Sequence, residues 1–185
     1  MMHKKTILAL SITLVLLGSI GFVIYENPKI LTQSALVKTK STKSRASYVK
    51  ISGLPQLKND SEIIVEATVT NKQETRDYKG VPVSITSVEV KDVLKGTTDS
   101  KELKILQDAQ ADVTLKAGQT LLMFLKKGVD NPDCYVSIGG GQGIYQISKN
   151  KKNNELELSP QSLVNENIIK DLKGNYSDIK AKLNN

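Results

Sequence analysis

The chain has 185 residues and a formal net charge of +7, with one cysteine, Cys134, and one histidine, His3. One cysteine excludes an intramolecular disulfide and a cysteine-built metal cluster. A lone histidine near the N-terminus excludes Ser-His-Asp and Cys-His catalysis and two-histidine zinc sites in a folded part. The length suits one domain with an appended segment.

The positive charge is unevenly placed. Residues 26–50 carry Lys29, Lys38, Lys40, Lys43, Arg45 and Lys50 against Glu26, whereas residues 51–185 balance 18 basic against 18 acidic side chains. A nucleic-acid reader carries its basic patch on the folded face, so no nucleic-acid partner is expected.

Thr6–Tyr25 is an uncharged run of 20 residues. As a helix it rises about 30 Å, the thickness of a bilayer's hydrocarbon core. Lys4 and Lys5 precede it, which places the N-terminus in the cytoplasm and the remainder outside. A signal peptide cleaved after small residues, with Ser19 and Gly21 at the −3 and −1 positions, competes with this reading. The apolar run continues through Phe22–Tyr25, which favours an uncleaved membrane anchor over 1–25. No cysteine follows, so a lipid-anchored lipoprotein is excluded. Residues 26–50, rich in Ser, Thr and Lys, read as a basic flexible tether, and 51–185 as an extracytoplasmic domain.

In Glu62–Asn71, Ile63, Val65, Ala67 and Val69 alternate with other residues, which predicts a strand with one buried face. Gln73–Gly80 reads as a polar hairpin connection. Val81–Leu94 is a long strand whose apolar phase switches near Ser87, the mark of a β-bulge. Glu102–Gln107 is a third strand. After a turn at Ala117–Gln119, Thr120–Leu125 is apolar on both parities, which predicts a central strand buried on both sides. A loop over Lys126–Pro132 leads to strands at Cys134–Ile138 and Ile144–Ser148. Ser159 and Pro160 read as N-cap and first residue of a helix carrying Val164, Ile168 and Leu172 and closing at Gly174. Tyr176, Ile179 and Leu183 form a second amphipathic turn. The elements predict a mainly β protein: an antiparallel sheet of five or six strands with a C-terminal helix, most simply a small OB-type β-barrel.

No motif declares catalysis. Gly139-Gly140-Gly141-Gln142-Gly143 lacks the spacing of either phosphate-binding glycine loop and precedes a strand, so a barrel corner explains it better. Asp108, Asp112, Asp130 and Asp133 lack the calcium-loop pattern. Cys134, with acidic neighbours, reads as a semi-buried small hydrophobe, an intermolecular bridge being the alternative. No catalytic, cofactor-binding or metal-binding residue is expected.

Several segments carry a resemblance: Ser61–Val69, Val88-Glu89-Val90, Val93-Leu94-Lys95-Gly96, Gly118–Leu125 and Ile138–Tyr145. In these the chain resembles a group of small, mostly uncharacterised exported domains of Gram-positive bacteria. They are similar in shape to the OB-type barrels of tissue-inhibitor-of-metalloproteinase and netrin-like modules. The resemblance implies the barrel but no catalytic residues. Inhibitors of that kind use an N-terminal cysteine and several disulfides, which this chain lacks, so metalloproteinase inhibition is not carried over. The resulting expectation is a non-enzymatic binding or scaffolding module at the cell membrane. It would act on an envelope protein or cell-wall polymer through Val81–Leu94, Glu102–Gln107 and the Gln73–Gly80 loop. The alternatives are an enzyme acting on an envelope polymer through carboxylates, and an accessory or immunity-type protein acting through its membrane helix.

Overall fold

The structure, a computed structural model, describes residues 48–110 and 113–184. The expected anchor over 6–25 and nearly all of the tether lie outside the described residues. Among the described residues, no helix is long and apolar enough to cross a membrane.

In chain order the elements are α1 (Leu54–Asp60), β1 (Ile63–Tyr78), β2 (Val81–Lys95), β3 (Glu102–Asp108) and β4 (Thr120–Lys127). Then come β5 (Tyr135–Ser137), a 3-10 turn over Ile138–Gly141, β6 (Ile144–Lys149), β7 (Leu156–Pro160), α2 (Glu166–Asp171) and α3 (Tyr176–Asn184). The seven strands form one sheet in the order β1-β2-β3-β5-β4-β6-β7, and β1 also pairs with β4, so the first five strands partly close into a ring. Each pairing is antiparallel except β3 with β5, which is parallel and joined through Ile105 and Tyr135 alone.

Side-chain alternation along the ring divides the core in two. Ile63, Val65, Ala67 and Val69 of β1 meet Leu121, Met123 and Leu125 of β4, Leu103 and Ile105 of β3 and Tyr135 of β5 inside the ring. The opposite parity of the same strands, Ile64, Leu122 and Phe124, packs under α1, α2 and α3 with Leu57, Ile168, Leu172, Tyr176, Ile179 and Leu183. β4 is therefore buried on both sides, as its apolar run predicts: Leu121 through Leu125 are all 0 % exposed. Burial on this scale is the main source of stability.

A polar cluster fixes α3 to the outer wall. Tyr176 Oη donates to Glu66 Oε2 at 3.0 Å. Lys180 Nζ lies 3.3 Å from the same oxygen and 2.7 Å from Asp92 Oδ2. On the same helix-covered face, Lys95 donates its ammonium to the carbonyls of Lys58 and Ser61 and so closes the C-terminal end of α1.

Several expectations are corrected. Gln73–Tyr78 is not a loop but the outer half of β1, paired with Val81–Thr86; only Lys79 and Gly80 form the turn, both with positive φ of 52° and 82°. Such a turn matches the twist of the flanking strands, which lets a polar sequence continue as a ribbon. The irregularity at Ser87 exists, but the extra residues stand on β1, between Val69 and Gln73. β1 buries Ile64 as well as the predicted face, because the helices cover its outside. Lys126 and Lys127 extend β4 beyond the expected loop start. Ser159 and Pro160 end strand β7, where Ser159 pairs with Gln146, and do not start a helix. The helix begins at Glu166, where Asn165 Oδ1 accepts from the Asn167 amide at 3.0 Å. The sheet is also not wholly antiparallel, and α1 was not expected.

Candidate functional site

Register on the ring's wall determines which side chains face outward. Val88 pairs with Leu103 and Thr86 with Ile105 on the inward side. The alternate pairs, Ile85 with Leu106 and Val83 with Asp108, therefore face out. On β5 the inward Tyr135 leaves Val136 outward. Beyond the single Ile105–Tyr135 pair, β5 enters the 3-10 turn and stops following β3. The seam opens there into a groove of about 200 Å³, lined by Tyr48, Val83, Leu106, Gln107, Asp108, Val136, Ser137, Gly140 and Gly141.

The glycine-rich turn shapes one side of this groove. Gly139 and Gly140 have φ of 63° and 64°. A Cβ on Gly140 would occupy the space of the Tyr48 ring, so the aromatic side chain lies directly on bare backbone. Gln142, 8 % exposed, clasps the entering chain. Its Oε1 accepts from the Ile51 amide at 3.1 Å, and its Nε2 donates to the Val49 and Gly139 carbonyls at 3.0 Å each. The run read as a barrel corner is thus a corner that also grips the N-terminal segment.

Of the expected binding face, Val83, Leu106 and Gln107 come together in the groove. The tip of the β1–β2 ribbon instead meets the β4–β5 loop, where Lys79 Nζ lies 3.8 Å from Asp130. Sequence reasoning missed Tyr48, Val136, Gly140 and Gly141. Tyr48 carried one signal, being the lone aromatic residue between Tyr25 and Tyr78.

Among the described acidic candidates, Asp108 alone lines the groove. Asp108 Oδ1 accepts from the Gln110 amide at 2.8 Å, Asp130 faces Lys79, and Asp112 lies outside the described residues. Cys134 is 2 % exposed, and its thiol pKa is raised chiefly by burial, with Asp133 adding a smaller push in the same direction. Among the described residues, no group of three or more His, Cys, Asp or Glu gathers as a metal site.

No protein-family model matches the chain, and no curated protein matches it. The functional reading rests on this geometry.

Proposed function

We propose that the domain is a non-catalytic binding module of the cell envelope, tethered outside the membrane through residues 6–25, which receives a segment of an envelope protein or wall polymer in the β3–β5 groove. The observation that carries the reading is the apolar opening where the ring's wall is joined by a single pair, Ile105 with Tyr135. Small-molecule and segment-binding sites are concave and mostly apolar, with a few polar groups for orientation. Val83, Leu106, Val136 and Tyr48 supply the first property, and Gln107, Asp108 and Ser137 the second.

The strand order β1-β2-β3-β5-β4, with β1 returning to β4, supports an OB-type barrel. Barrels of that type bind on the face of strands two and three, beside the loops after strands one and four. The groove lies on that wall. Fold type alone says nothing of the ligand.

A photo-crosslinking amino acid at Leu106 of the full-length protein, activated in the native envelope, tests the reading. One specific adduct is expected, and Val136→Asp is expected to abolish it. An adduct pattern no different from that of a crosslinker at the exposed Thr97 overturns the groove as the binding site.

A further inference from the structure

Three large apolar side chains at one end of the domain are partly or almost wholly exposed: Leu163 is 97 % exposed, Val49 75 % and Tyr48, packed on one side against Gly140, 46 %. They border two adjoining hollows. The hollows meet at Tyr48, Gly139 and Gly140; Val49 borders one and Leu163 the other. Leu163 lies in the connection between β7 and α2, where the adjacent Val164 packs against the helix-side core. The core therefore does not account for Leu163.

Charge gathers at the same end. Lys126 lines the hollow that Val49 borders, Lys50 follows Val49 in the chain, both are exposed, and Asp60 is the one acid lining that hollow. In the sequence, Lys38, Lys40, Lys43 and Arg45 precede Tyr48, whereas residues 51–185 are neutral overall. An apolar patch rimmed with lysines matches a surface that offers both hydrocarbon and anionic groups. An anionic wall polymer offers only the charge.

We infer that the end of the domain formed by Tyr48, Val49 and Leu163 docks on an anionic lipid bilayer, with Lys50 and Lys126 at the phosphate level. The inference rests on the reading of residues 6–25 as a membrane anchor but is not implied by it. The intervening 22 residues reach roughly 75 Å when extended, enough to hold the domain clear of the surface. The patch, not the tether, brings the domain down.

The chain contains no tryptophan, so Leu163→Trp introduces a unique reporter at a position that no packing constrains. The full-length variant is reconstituted in vesicles of phosphatidylcholine and phosphatidylglycerol, with and without brominated acyl chains. Blue-shifted emission quenched by the brominated lipid is expected. Ala117→Trp, in the exposed turn before β4 and at the opposite end of that strand from Lys126, is expected to stay solvent-like and unquenched. Lys50→Gln and Lys126→Gln are each expected to weaken the docking equilibrium by roughly fivefold. A protein that floats with the vesicles while Trp at 163 stays unquenched overturns the docking but leaves the anchor intact. A protein that does not float overturns both. Equal quenching in pure phosphatidylcholine overturns the requirement for anionic lipid. A blue shift that rises with protein concentration without quenching assigns the patch to a second copy of the chain, and overturns the lipid assignment.

Discussion

Gln142 Oε1 accepts the amide proton of Ile51 at 3.1 Å, across 91 positions of the chain. This bond and the Nε2 bond to Val49 join the entering segment to the glycine-rich turn. Replacing Gln142 with Ala leaves the buried Ile51 amide unpaired, and is expected to destabilise the domain by about 2 kcal/mol. The same variant is expected to speed hydrogen exchange at Ile51 and proteolysis after Lys50. A melting temperature equal to that of the parent protein would refute the clasp.

Gly140 and Tyr48 form a steric pair. Gly140→Ala places a methyl group against the aromatic ring at a backbone φ of 64°, and is expected to cost about 2 kcal/mol from strain and displacement together. In a double-mutant cycle with Tyr48→Ala the displacement part disappears and the backbone part remains. Strict additivity in chemical denaturation would mean that the ring and the turn are energetically independent.

Tyr176 and Tyr145 test the value of a buried phenol with and without a partner. Tyr176 bonds Glu66, while the Tyr145 hydroxyl has no hydrogen-bond partner among the described residues. Tyr176→Phe is expected to cost about 1 kcal/mol at neutral pH, and Tyr145→Phe to lie within about 0.5 kcal/mol of the parent. Equal losses in urea titrations would contradict the contrast.

The pH dependence follows from the same cluster. The hydrogen bond from Lys180 holds the Asp92 pKa below its ordinary value. Asp92 therefore adds stability above the usual carboxylate range, and that stability is lost as pH falls through the lowered value. Lys180 is raised, first by its bond to Asp92, and Tyr176 is raised, first by burial and then by the Glu66 charge. Both contributions are complete below the unfolded pKa values and are lost as pH rises above about 10. Thermal melts should decline at both ends, and Tyr176→Phe should flatten the alkaline decline. An unchanged alkaline limb in that variant would rule out Tyr176 as its source.

Cys134 is expected to resist thiol reagents in the folded protein and to react fully once the chain is unfolded, because its thiol is buried and its pKa raised. Rapid labelling of the native protein, or a disulfide-linked dimer under oxidising conditions, would contradict this assignment.

The legible parts of the fold were those in which one local pattern has one meaning. Thr120–Leu125 reads as a strand buried on both sides because apolar residues of both parities need two covers, and the ring interior and the helices provide them. The Ser159-Pro160 pair misled because a helix-start signature is local, whereas its pairing with β6 comes from a strand more than ten residues away. Gln73–Tyr78 was illegible for a similar reason: a charged ribbon outside the core carries no apolar period. The groove depends on where β5 leaves β3 and on a tyrosine from the far side of the sequence, and neither appears in any window of adjacent residues. Tyr48 was accordingly placed in the tether.

The way the ring closes also bears on when the protein can fold. Ile63 waits for Leu125, Ile105 for Tyr135, and Ile51 for Gln142. A chain emerging from its N-terminus presents β1 and β2 as a hairpin with one apolar face uncovered until β4 and the helices follow. Contacts so far apart in sequence make folding slow, on the scale of milliseconds to seconds. The ring is therefore completed only after about three quarters of the chain, through Gln142, has been made, and the long apolar face of β1 is a natural contact for a chaperone during that interval.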